Sequence, residues 1–212
     1  MRTFFRDNGL TITLLAMFVF STAGMIWAGY VNHNDELAKH GASTIGLIAY
    51  LESGPFLSAL FENWESEFLQ MSAYVVLTAM LFQRGSSESR DPDDPDRPKD
   101  RLPAELWRRH PTLSWIYCNG LGLALAVLFV LSFLLHWSAS CAAANAEILR
   151  HGGMPQSMGS YFFDAQLWFE SFQNWQSEFL STAILVVLSI FLRQQGSPES
   201  KPIGATNAET GD

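Results

Sequence analysis

The chain has 212 residues, 48% hydrophobic and 16% charged, with a net charge of −8 at pH 7. No basic patch for phosphates is present, which excludes a nucleic-acid binder. Cys118 and Cys141 sit near opposite ends of one apolar run, about 34 Å apart on a helix, too far to form a disulfide with each other.

Mean hydropathy is only +0.09, but the charges are unevenly placed. No Asp, Glu, Lys or Arg lies between Asp7 and Asp35 or between Arg109 and Glu147. Hydrocarbon about 30 Å thick needs about 20 mostly apolar residues to cross it. The first run therefore predicts a spanning helix. Arg2 and Arg6 followed by Ser21-Thr22-Ala23 resemble a cleaved leader, but the matching run in mid-chain favours retention.

Beyond this helix, Asn34-x-Glu36-x-x-x-His40-Gly41 reads as a helix end. Glu36 and His40 are weak metal candidates; the plainer reading is an i,i+4 pair beside a glycine cap. Gly54-Pro55 and 56–61 predict an amphipathic segment on the outer surface. A second span is predicted over Phe68–Phe82, with Trp64 as its interface anchor. Residues 85–110 hold Asp91-Pro-Asp-Asp-Pro-Asp-Arg-Pro-Lys-Asp-Arg, a solvated linker that cannot bury a core. It ends in a short juxtamembrane helix over Leu102–His110, anchored by Trp107. The long charge-free run then predicts the third span, closed by Asn145-x-Glu147-x-x-x-His151-Gly152. Tyr161–Phe172 predicts a second outer segment, and Phe179–Leu192, anchored by Trp175, the fourth span. Residues 196–212 read as a disordered tail.

The chain repeats itself. Residues 61–90 and 172–201 share sixteen of thirty positions without a gap, at an offset of 111 residues. The expected fold is all-α, a four-span transmembrane bundle built from two parallel two-helix repeats. Its parts are 1–84, the linker 85–110, 111–195 and the tail 196–212. Eleven of thirteen Lys and Arg residues fall in the N-terminus, linker and C-terminus. By the positive-inside bias, both termini are expected in the cytoplasm.

The N-W-x-S-E-F-L string carries the most chemistry. On a helix Asn63, Glu67, Gln70, Tyr74 and Thr78 share a stripe, matched by Asn174, Glu178, Ser181, Leu185 and Ser189. Polar groups in lipid turn toward other helices or water, so the two helices are expected to face one another with Glu67 and Glu178 near the outer boundary. One reading is a cation or proton path through Asn63, Glu67, Gln70, Asn174, Glu178 and Ser181. The other is structural hydrogen bonding near the positive helix ends. Glu147 and His151 repeat the weak metal candidacy of Glu36 and His40. His33 and His136 have no counterpart in the other copy and are set aside.

The strings Arg6-Asp7-Asn8-Gly9-Leu10, Phe61-Glu62-Asn63-Trp64-Glu65-Ser66-Glu67-Phe68-Leu69-Gln70-Met71 and Gln83-Arg84-Gly85-Ser86-Ser87-Glu88-Ser89 resemble an uncharacterised bacterial family. It is a domain of unknown function found in small multi-pass membrane proteins. The resemblance implies a bacterial cytoplasmic (inner) membrane location and four helices, and carries no activity or site residue with it. Copy two has Gln173 and Gln176 where copy one has Glu62 and Glu65, which counts against a two-fold site of four carboxylates.

The expected function is that of a small cation- or proton-coupled transporter or channel-like protein. The alternative is a non-catalytic membrane scaffold or envelope-stress interaction protein. No enzyme activity and no cofactor are expected. The expected partners are the lipid bilayer and either a second copy or another membrane protein.

Overall fold

The computed structural model describes residues 2–96 and 100–211. Arg97 and Lys99, two of the basic residues counted above, lie outside the described residues. Among the described residues the secondary structure is entirely helical. The chain divides into two compact units, residues 1–57 and 58–212.

The first unit is built on α1 (Arg2–Lys39). Its apolar side chains point outward along its length, with Leu10, Phe20 and Trp27 all more than 70% exposed. A soluble helix would bury such a face, whereas lipid accepts it. The helix ends at Gly41 (φ 70°), where Ala42 N–H reaches Leu37 O and Gly41 N–H reaches Ala38 O. This pairing satisfies carbonyls the helix leaves open, and the left-handed residue is a glycine because a Cβ there is strained. Asn34 then clamps the returning chain, its amide donating to Ile45 O while its carbonyl accepts from Ile45 N–H. The short helix α2 (Leu47–Leu51) follows and buries Tyr50. A Cβ on Gly29 would stand 2.1 Å from the Tyr50 hydroxyl, so only glycine lets this ring lie against α1.

α3 (Gly54–Met80) begins in the first unit and continues into the second. It is followed by α4 (Ala104–Arg109), α5 (Pro111–Cys118) and α6 (Gly120–Arg150), then α7 (Met158–Tyr161) and α8 (Ala165–Phe191). α6 ends as α1 does: Gly152 (φ 75°) carries the turn, and Asn145 clamps Gln156 through both backbone groups. The repeated Asn and His-Gly of the sequence are therefore a helix stop and a loop clamp. α7 is capped by Ser157 and α8 by Asp164, each side chain accepting a backbone N–H of the first turn.

Three expectations change. The outer segments 56–61 and Tyr161–Phe172 do not lie apart as surface helices. The first belongs to the opening turns of α3; in the second, Tyr161 ends α7 and the residues beyond the Asp164 cap belong to α8. α1, α6 and α8 are long and apolar enough to cross a membrane. α3 does not reach that measure, because Glu62, Asn63, Glu65, Glu67 and Gln70 occupy its middle turns. Finally, the tail expected to be disordered folds back. Lys201, 1% exposed, donates to the carbonyls of Thr206, Asn207 and Glu209. Gly85 N–H then reaches Thr210 Oγ1, and Gly211 N–H reaches Ser86 O.

This closure explains the recurring Gln-x-Gly-Ser-x-Glu-Ser. Ser89 Oγ accepts Gln83 N–H and Ser200 Oγ accepts Gln194 N–H, each at 2.8 Å. Ser86 and Ser197 do the same for Glu88 and Glu199. The glycines are not helix caps: α3 and α8 stop at Met80 and Phe191, and Gly85 and Gly196 take the left-handed place in the turn beyond. Between 91 and 96 the linker makes turns, with Arg84 held bidentately by Asp93. α4 falls within the predicted 102–110 helix and leaves Trp107 exposed.

Candidate functional site

On α6, Ser132, His136 and Ser140 recur every four residues, so they share one helix face, and all three are buried. Gln166, Glu170 and Asn174 do the same on α8, while Glu62 and Glu65 lie one turn apart on α3. The three faces meet around His136, which is 0% exposed.

The His136 imidazole lies between two carboxylates. Its Nδ1 is 2.6 Å from Glu65 Oε2 and its Nε2 is 3.1 Å from Glu170 Oε2. Glu65 also accepts the Trp175 indole N–H at 2.9 Å. Glu170 accepts the Ser140 hydroxyl at 2.6 Å and the Gln166 amide at 2.7 Å. Ser140 Oγ is 2.7 Å from the buried Tyr161 hydroxyl. Glu62 completes the group: its carboxylate accepts the Asn174 amide, and it comes within ligand distance of His136 and Glu170. An aromatic wall of Phe129, Phe133, Trp168 and Trp175 stands alongside. Ionisable groups held this far from water are costly unless paired, so the network is closed on nearly every polar atom.

The α3/α8 seam carries polar contacts onward from this cluster. Glu178 lies within electrostatic reach of Glu67, and Gln70 donates to Thr182 Oγ1 at 2.6 Å. Below them is a mostly apolar cavity of about 400 Å³, lined by Gln70, Tyr74, Thr78, Thr182 and Glu88 among others. At its far end the Tyr74 hydroxyl donates to Glu88 at 2.8 Å, and Ser86 meets Ser189 at 2.8 Å.

Glu88 is the carboxylate here whose environment has a readable consequence. Burial pushes its carboxyl above the ordinary range; Tyr74's hydrogen bond opposes this and neighbouring Glu199 adds to it. The folded state thus holds this proton more tightly than the unfolded chain. The stabilisation is fully present below the ordinary carboxylate value and is lost as pH rises through the folded one. Glu88→Gln is expected to raise the thermal midpoint at neutral pH by a few degrees and to flatten its decline between mildly acidic and neutral pH. Thermal scans of both proteins across that window check this.

The residues singled out from sequence are only partly brought together. Asn174 joins the His136 cluster, Glu178 lies within electrostatic reach of the exposed Glu67, and Gln70 crosses the seam. Asn63 is exposed and bonds its own helix at Ala59 O; Ser181 likewise bonds Glu178 O. Trp64 packs edge-on against Phe61. Trp175, expected as an interface anchor, donates its indole N–H to Glu65. Glu147 and His151 form an exposed pair at 3.6 Å at the C-terminal end of α6, and Glu36 and His40 are exposed at the matching turn.

His136, Glu65, Glu170 and Glu62 were not chosen from sequence. The signal for His136 was present: it is an ionisable residue inside a charge-free run long enough to cross a membrane. Its counterpart at the repeat offset is Met25, and those of Ser140 and Glu170 are Gly29 and Ala59. Comparing the copies hides a site assembled from residues of both, each of whose ionisable members has no like counterpart in the other copy.

The chain belongs to the family described as Domain of unknown function (DUF6766), whose model matches residues 1–212. No curated protein and no solved structure matches it.

Proposed function

We propose that this DUF6766 chain is a small cation- or proton-coupled membrane transporter whose outer binding site is the His136 cluster. One observation carries the reading: a wholly buried histidine, held between two carboxylates, in the middle of an apolar helix. Such a group is costly to maintain in a membrane protein and marks an ion or proton route by default.

The reading takes α3 as a fourth span, its polar turns turned inward against α8. The chain then forms two parallel two-helix repeats in a bacterial cytoplasmic membrane, both termini and the linker inside. The distribution of basic residues supports that orientation. Glu170 lies 21 residues before Phe191, about 32 Å of helix, which puts the cluster at the outer boundary of the hydrocarbon. From there Glu67 with Glu178, then Gln70 with Thr182, lead to the cavity and to Glu88 beside Glu199 at the cytoplasmic end.

Purified protein in liposomes, loaded with a pH-sensitive dye and given a potassium-driven potential, tests the reading. Proton or cation flux above empty vesicles is expected, reduced at least tenfold in His136→Gln. Equal flux in the variant removes His136 from the route. A second reading, a scaffold that docks a partner on its outer face, is favoured by the exposure of Met154 at 88% and Phe163 at 83% around α7.

A further inference from the structure

We propose that the His136 cluster binds a divalent transition-metal ion of the zinc class, with His136 Nε2, Glu170 and Glu62 as ligands and Glu65 orienting the imidazole. This names the cation for the site proposed above and rests on that reading for its role in transport.

Glu62, Glu65 and Glu170 bring three negative charges to one buried imidazole, so even a protonated His136 leaves two uncompensated. Among the described residues no Lys or Arg forms an ion pair with any of the three. In a region of low dielectric that excess must be met by protons or by a cation. A single divalent ion bound to a neutral His136 offsets two of the three charges, and the third stays on Glu65, which faces the imidazole Nδ1–H and the Trp175 indole N–H.

One ring nitrogen and one carboxylate oxygen from each glutamate all lie within 4.8 Å of one another. Ligand atoms about 2.1 Å from a tetrahedral zinc stand roughly 3.4 Å apart, so small rotamer shifts close the set. Glu65 supplies what a ligating histidine usually has, a carboxylate on its other nitrogen. That partner fixes the tautomer and leaves Nε2 free to bind metal. The Asn174 amide on Glu62 and the Ser140 and Gln166 donors on Glu170 hold the two carboxylates in the same way. Three protein ligands leave a fourth position open, as a site that must release its ion requires.

Mixed imidazole and carboxylate ligation selects the ion class. All-oxygen sites suit calcium and magnesium, whereas an imidazole nitrogen draws in zinc and its first-row neighbours.

The test uses full-length, tag-free protein in detergent micelles, titrated with zinc chloride by calorimetry and with cobalt(II) by visible absorption. One Zn²⁺ per chain is expected, with a raised thermal midpoint and a cobalt band typical of low coordination number. His136→Gln and Glu62→Gln are each expected to abolish binding, while Glu65→Gln weakens it about 10–100-fold by removing the orienting carboxylate. Absence of binding in the wild type overturns the proposal. So does binding that survives His136→Gln and Glu62→Gln but is lost in Glu147→Gln or His151→Ala, which puts the ion on the exposed end of α6. His136-dependent proton flux without zinc binding defeats the metal assignment alone. Zinc bound as expected in a protein that moves no ion through liposomes upholds the metal site and defeats the transport reading.

Discussion

Replacing His136 with alanine should lower the thermal midpoint of the purified protein by roughly 10 °C, the largest effect expected of any single substitution in the chain. The side chain is 0% exposed, and Glu65 beside it is 1% exposed. Removing one member of a buried ionic pair strands the other charge, which costs about 3–5 kcal/mol. A change of 1 kcal/mol moves the midpoint by about 2–4 °C in a domain of this size. Trp175 and Ser140 still donate to the two carboxylates, but neither carries a charge. The matching positions of the opposite copies suggest how to separate loss of charge balance from loss of packing. Met25, Ala59 and Gln176 stand where this cluster has His136, Glu170 and Glu65. The combined variant His136→Met, Glu170→Ala, Glu65→Gln removes three of the four ionisable groups together, leaving Glu62 with its Asn174 partner, and should recover most of the midpoint. Buried ion pairs are often replaceable by neutral residues of similar volume. Thermal scans of the single and triple variants check both expectations. A triple variant as unstable as His136→Ala would mean that shape, and not charge, holds α3, α6 and α8 together.

The helices and their stops were legible because local rules govern them. A charge-free run of membrane length leaves few alternatives to a helix, and His-Gly followed by a polar loop announces its end. Asn34 and Asn145 were visible as repeated residues, but their work as loop clamps depends on a chain return eleven residues later, which no local pattern specifies. The apolar run Phe68–Phe82 behind Trp64 reads as a span. The glutamates of α3 pull that helix below the measure of one, and the seam with α8 shows where they turn. The site was the least legible part. Its four ionisable groups come from three helices, and the internal comparison favoured residues present in both copies. Duplicated positions record what the fold requires, namely caps, clamps and seam contacts. The unmatched residues, His136 and Glu65 above all, are where one copy has departed from that requirement. The tail misled for a different reason. Its composition resembles disorder, and it folds only because Lys201 finds three carbonyls at once.

Lys201→Met should release that tail without unfolding the helices. The ammonium is the hub of the segment, donating to Thr206 O and Glu209 O at 3.0 Å and to Asn207 O at 3.4 Å. Methionine keeps most of the apolar stem but offers no donor. Hydrogen bonds to a charged group contribute about 1.5–3 kcal/mol each. The tail borders water that can replace part of this, so the local loss should be about 3 kcal/mol, or roughly a hundredfold faster amide exchange. Exchange measured by mass spectrometry is expected to rise over residues 202–211 and, more weakly, at Gly85 and Ser86. The latter pair to Thr210 and Gly211. Peptides from α6 should be unchanged, which separates local release from global destabilisation. Gly85 is tightly placed in this closure, since a Cβ there would meet Asn207 O at 2.5 Å. The tail therefore helps hold the turn that places Glu88 against Tyr74. Opening it should let water reach Glu88 and weaken the pH dependence predicted for that carboxylate. Unaltered exchange in Lys201→Met would show that the turns hold themselves, and that the buried lysine follows the tail instead of organising it.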